Sequence, residues 1–156
     1  MPRGPSRRVV LGASAAVAGV GAINAAAAPD TSVLPGSAFV EHRLALQLSD
    51  RDPHKHALVL SVANNVLKFY GPDLVAIEVV TFGPGIDLLR ADSPDRVGVD
   101  SLVAQGVRFY ICMNTVDTIA RETGVRPALN DRAVPVEAGV AQLLKLAEAG
   151  FTLVRP

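Results

Sequence analysis

The sequence predicts an α/β fold: a three-layer α/β/α domain built on a mainly parallel five-stranded sheet. Strand-like and helix-like segments alternate from residue 42 to the end, the order of parallel strands joined by crossover helices. Residues 75–80 and 107–113 are apolar almost without interruption, as strands covered on both faces are. Helix punctuation falls between these segments: Asp52-Pro53 at a start, Gly71-Pro72, Gly124 and Gly150 at ends.

In order, residues 42–48 alternate apolar and polar and predict the first strand. Asp52 suits an N-cap and Pro53 the first helical position of a helix running to about Tyr70. Its Ala57, Leu58, Val62, Ala63, Val66 and Leu67 are expected on one side, leaving His54-Lys55-His56 as an exposed helix start. Residues 75–82 are rich in β-branched side chains and predict a second strand. Gly83-Pro84-Gly85 reads as a tight turn, residues 86–90 as a short helix, and 99–105 as another that Gly106 ends. Residues 107–113 predict a third strand with Cys112 near its end; Asn114 or Thr115 is the expected cap of the helix that stops at Gly124. Residues 133–136 predict a fourth strand. Val140, Leu143, Leu144 and Ala147 mark the apolar side of a helix, and 151–154 predict the last strand.

The domain is expected over residues 41–156, with 28–40 as a linker or arm and 1–27 as an export signal. Arg7-Arg8 stands directly before an uncharged run from Val9 to Ile23, and Ala25 to Ala28 follow. A basic end, a short apolar middle and small residues make a signal peptide, and the paired arginines give it the twin-arginine form. The run of 15 residues is shorter than the ~20 a membrane span needs. Cleavage is expected between Ala27 and Ala28, which places the mature protein in the periplasm or otherwise outside a bacterial cytoplasm, with no membrane attachment left.

Losing Arg3, Arg7 and Arg8 leaves 12 of the 15 basic residues against 15 acidic ones. No basic block survives, which argues against a nucleic-acid partner. With no Trp and few aromatics, base-stacking or sugar platforms are not expected.

Chemistry is expected at the C-terminal ends of the strands. Three loops qualify: Ser49-Asp50-Arg51-Asp52, Gly83-Pro84-Gly85 and Cys112-Met113-Asn114-Thr115. Cys112 is the sole cysteine, so no internal disulfide forms. At a strand-to-helix junction, backbone N–H groups favour its thiolate, the nucleophilic form. A buried, inert thiol is the other reading of the same position. Gly83 and Gly85 lack the spacing of a phosphate loop but let backbone approach a small ligand or a neighbouring subunit. Residues two apart on a helix diverge, so His54 and His56 predict no metal site. Arg90, Arg96, Arg121 and Arg126 read as solvated faces.

Leu48-Ser49-Asp50-Arg51-Asp52-Pro53, Ala63-Asn64-Asn65-Val66-Leu67, residues 77–86, 102–109, Cys112-Met113-Asn114-Thr115 and 134–140 stand in an order that resembles the DsrE/DsrF-like sulfur-relay family, in its small stand-alone members. The resemblance covers about residues 42–156. It implies a three-layer domain, a homo-oligomer (trimer or hexamer), and a cysteine that takes up sulfur as a persulfide and passes it to a partner, without metal or organic cofactor. Carried onto this chain, Cys112 accepts the sulfur, and Asn114 and Thr115 donate to the terminal sulfur anion. Gly83 and Gly85 leave room, and Asp50 orients or excludes donors. The competing expectations are a non-catalytic oligomeric scaffold with a structural cysteine, and a small-ligand binder using the same loops.

Overall fold

The computed structural model of the chain describes residues 40–156; the expected export signal and all but the last residue of the expected arm lie outside them. Five strands form one wholly parallel sheet: β1 (His42–Leu48), β2 (Val75–Thr81), β3 (Arg108–Cys112), β4 (Val134–Val136) and β5 (Thr152–Val154). Their spatial order is β4-β3-β2-β1-β5. Between them run α1 (Pro53–Tyr70), a 3-10 helix (Gly83–Leu89), α2 (Arg96–Ala104), α3 (Met113–Thr123) and α4 (Gly139–Glu148). No helix among the described residues is long and apolar enough to cross a membrane.

Strand order and handedness decide which face each helix takes. From β1 to β4 the chain steps one way across the sheet, and right-handed crossovers then put α1, α2 and α3 on one face. From β4 it returns past the whole sheet to β5, and the same handedness puts α4 on the other face. The larger core accordingly joins Leu46, Ile77, Val79, Phe109 and Ile111 of the strands to Val59, Ala63, Leu102 and Val116 of α1, α2 and α3. The smaller core joins Ala45, Val80 and Tyr110 to Leu143 and Leu146 of α4.

Two helices are rotated from the phase the sequence predicts. The buried stripe of α1 is His56, Val59, Ala63 and Leu67, whereas Ala57 and Leu58 are exposed. His56 is therefore not part of an exposed helix start. Its Nε2 lies 2.9 Å from the carbonyl of Asp50 and its Nδ1 3.6 Å from the carboxylate of Asp95, so the ring is buried with polar company on both sides. In α4 the buried residues are Gly139, Gln142, Leu143 and Leu146, while Val140, Leu144 and Ala147 face outward. Gly83-Pro84-Gly85 is the first turn of the 3-10 helix rather than an isolated tight turn.

Candidate functional site

At the ends of β3 and β4 the connections part: the chain leaves β3 into α3 on one face and leaves β4 into α4 on the other. Such a divergence between neighbouring parallel strands opens a crevice at their C-terminal ends, where ligands of open α/β sheets bind. Cys112 is the last residue of β3, paired in register with Val136, the last of β4. The N-termini of α3 and α4 stand on either side of it.

Both helices start without the usual acceptor. Neither has a side-chain cap or an acidic residue in its first turn. The N-cap of α3 is Cys112 itself, and that of α4 is Ala138, whereas Ser, Thr, Asp or Asn is the common choice. The first amides of both helices are thus left for another acceptor, and the sulfur takes that place. Cys112 is 6 % exposed. Burial pushes its thiol up; the Thr115 hydroxyl and the amides of Gly139, Thr115 and Asn114 pull it down more strongly, so it ionises below an ordinary thiol.

Thr115 is oriented for this task. Its Oγ1 accepts the N–H of Gly83 at 3.0 Å, which leaves its single proton for the sulfur. Gly83 holds this position with a φ of +53°, in the left-handed region that suits glycine. As a thiol, Cys112 donates to the carbonyl of Glu137 across 3.8 Å. The same carbonyl accepts the Asn114 N–H at 3.1 Å. That geometry makes Asn114 the weakest of the sulfur's amide donors, since its N–H is already engaged.

Cys112, Thr115, Asn114 and Gly83 therefore come together. Gly85 and Asp50 do not touch the sulfur. Gly85 packs against the end of β1, where an added Cβ would stand 2.4 Å from the Leu48 carbonyl oxygen. The Asp50 carboxylate takes Arg155 at 3.3 Å. The expected cap of α3, Asn114 or Thr115, moves back to Cys112, because the strand hands over to the helix with no turn between them. Beside the crevice lies a shallow cleft of about 450 Å³, lined by Arg51, Gly83, Pro84, Asn114, Thr115 and Glu122 among others; Thr115 stands between it and the sulfur.

Sequence reasoning missed Gly139 and the carbonyl of Glu137. The readable signal was the lack of any Ser, Thr, Asp or Asn directly before Gly139, where a helix start needs an acceptor from elsewhere.

No family model matches the chain, and no curated protein matches it. Among solved structures it is similar to MTH1491 from Methanobacterium thermoautotrophicum, a protein of unknown function, at 29% identity over 74% of this chain and 100% of that one, with a TM-score of 0.66. That likeness agrees with the α/β fold described above, and that fold is what the comparisons establish.

Proposed function

We propose that the chain is a sulfur-handling protein of the DsrE/DsrF-like kind, exported and then cleaved between Ala27 and Ala28, with Cys112 as the sulfur carrier. The observation that supports this best is the convergence of two uncapped helix starts and the Thr115 hydroxyl on one sulfur atom. The Cys112 thiolate attacks the outer sulfur of a persulfide or polysulfide donor. A new S–S bond forms, the donor's S–S bond breaks, and the donor leaves as a thiolate carrying the bonding electron pair. An acceptor thiolate then takes the outer sulfur and returns Cys112 to its starting state, so no external oxidant or reductant enters. The two helix starts favour an anion at this place, and the persulfide formed is one. The same reading carries a homo-oligomer with it, a trimer or hexamer, and the outward-facing Val140 and Leu144 offer apolar surface for a contact between copies.

Intact mass after incubation with inorganic polysulfide tests the reading. The native protein is expected to gain about one sulfur atom, and Cys112→Ser none. No gain in the native protein rejects it. The 6 % exposure of Cys112 favours a second reading, a scaffold with a structural thiol. Iodoacetamide separates the two: a Cys112 that reacts only after denaturation supports the scaffold.

Thr115→Val removes the hydroxyl donor to the sulfur. A hydrogen bond to a charged group contributes about 1.5–3 kcal/mol, so alkylation at pH 7 is expected to slow about ten-fold or more, with Thr115→Ser restoring it. The lowered thiol also links to stability. The unfolded chain holds the Cys112 proton to higher pH than the folded one, so ionisation adds stability as pH rises through the folded value. That contribution is complete above the unfolded thiol range, near ~8.5, and is lost as pH falls through the folded value. Relative to Cys112→Ser, the native chain is expected to gain stability between neutral and alkaline pH in urea titrations.

A further inference from the structure

Gly139 lies where α4 begins, and its lack of a side chain has a steric use. A Cβ built there would stand 3.0 and 3.1 Å from Cβ and Cδ1 of Phe82 and 3.3 Å from Cβ of Cys112. Those distances are tighter than ordinary contact, so any larger residue moves the start of α4 away from the end of β3 by a few tenths of an ångström or more. The backbone here demands no glycine for its own sake, since Gly139 is not in the left-handed region. Two residues earlier, the Glu137 carbonyl faces the same sulfur at 3.8 Å, so the loop before α4 meets Cys112 along its length.

We propose that Gly139 is a positioning residue for Cys112: its missing side chain lets the first turn of α4 close on the sulfur, making the site a clamp of two helix starts rather than one. This rests on the reading of Cys112 as the working thiol and adds the element that sets its charge. One helix start is worth about 0.3–1 kcal/mol to a nearby anion. Opening the clamp from the α4 side therefore lowers the thiolate fraction at neutral pH about two- to five-fold.

The test is the iodoacetamide rate of Cys112 as a function of pH in the full mature chain, for native protein, Gly139→Ala and Gly139→Val. The midpoint is expected to rise from native to Ala to Val, with the rate at pH 7 falling about two- to five-fold for Val. At high pH, where every thiol is ionised, the three rates are expected to converge. Ala147→Ser, on the outward side of α4 and away from its first turn, is expected to leave the midpoint in place. Superimposed profiles overturn the proposal. So does a changed high-pH plateau at a fixed midpoint, because that reports access rather than charge. Gly139→Ala demands only a small shift and keeps the comparison open should the valine variant not fold. Alkylation needs no sulfur donor, so a native protein that takes up no polysulfide sulfur defeats the sulfur-carrier reading while leaving this result to be decided separately.

Discussion

Replacing Arg108 by leucine is expected to destabilise the domain by about 3–5 kcal/mol at neutral pH. The cause lies under the thinly covered face of the sheet. Glu78, in the middle of β2, is 1 % exposed. Arg108 is its register partner on β3 and donates through Nε to both carboxylate oxygens, at 2.9 and 3.1 Å, and through Nη2 to one of them. Burial pushes the Glu78 carboxyl up and Arg108 pulls it back, with burial ahead. Burial also raises the neighbouring Tyr110 phenol, and the Glu78 charge adds to it. Without Arg108 the buried carboxylate keeps its hydrogen bond from the Tyr110 hydroxyl but loses its counter-charge. Its folded pKa then lies further above the unfolded one, so the folded state holds a proton that the unfolded state has lost. Stability therefore falls as pH rises through that interval, and the penalty shrinks toward the unfolded carboxylate range, near ~4.3. Glu78→Met together with Arg108→Leu is expected to recover most of the loss, since an apolar pair of similar size removes the stranded charge. Urea unfolding of the two single variants and the double variant checks this; a cost below about 1 kcal/mol for Arg108→Leu contradicts it.

The second large effect is expected at Gly85. In Gly85→Ala the new Cβ runs into the backbone at the end of β1: the Leu48 carbonyl oxygen, the Leu48 carbonyl carbon at 2.7 Å and the Ser49 Cα at 2.9 Å. Backbone cannot swing aside as a side chain can, so the 3-10 helix must back away from β1. The expected cost is about 3 kcal/mol, at the upper end of overpacking in a well-filled core. It carries a chemical consequence as well. Gly83, two residues earlier, gives its N–H to Thr115, and moving it frees the hydroxyl from its orientation toward the sulfur. Thermal unfolding and the alkylation rate are both expected to fall; unchanged values for both contradict the packing argument.

How far the sequence could be read depended on where the deciding interactions lie. The bounds of β1 and α1 were legible because alternation, Asp52-Pro53 and Gly71 are local signals, and the structure places β1 at His42–Leu48 and α1 at Pro53–Tyr70. The phase of α4 was not. Val140 and Leu144 look like core residues by spacing, yet they face outward, and the buried stripe runs through Gly139, Gln142, Leu143 and Leu146, with Gly139 against Phe82 and Cys112. In the same way, Cys112 could be singled out as a candidate from its uniqueness and its place after a strand. The part played by Gly139 depends on the return of the chain across the sheet, which no local pattern announces. Asp50 was expected at the site because it follows a strand end, but the sulfur lies two strands away from β1.

The uneven dressing of the sheet has a consequence for measurement. Among the described residues, one surface rests on three α-helices and a 3-10 helix and the other on α4, which also lends an amide to the sulfur. Any event that loosens this cover, whether mild denaturant, a docking protein or a point change on its inner stripe, is expected to withdraw the Gly139 amide from Cys112 while Thr115 on the other face stays in place. A titration of the thiol is thus expected to report how firmly that layer is seated.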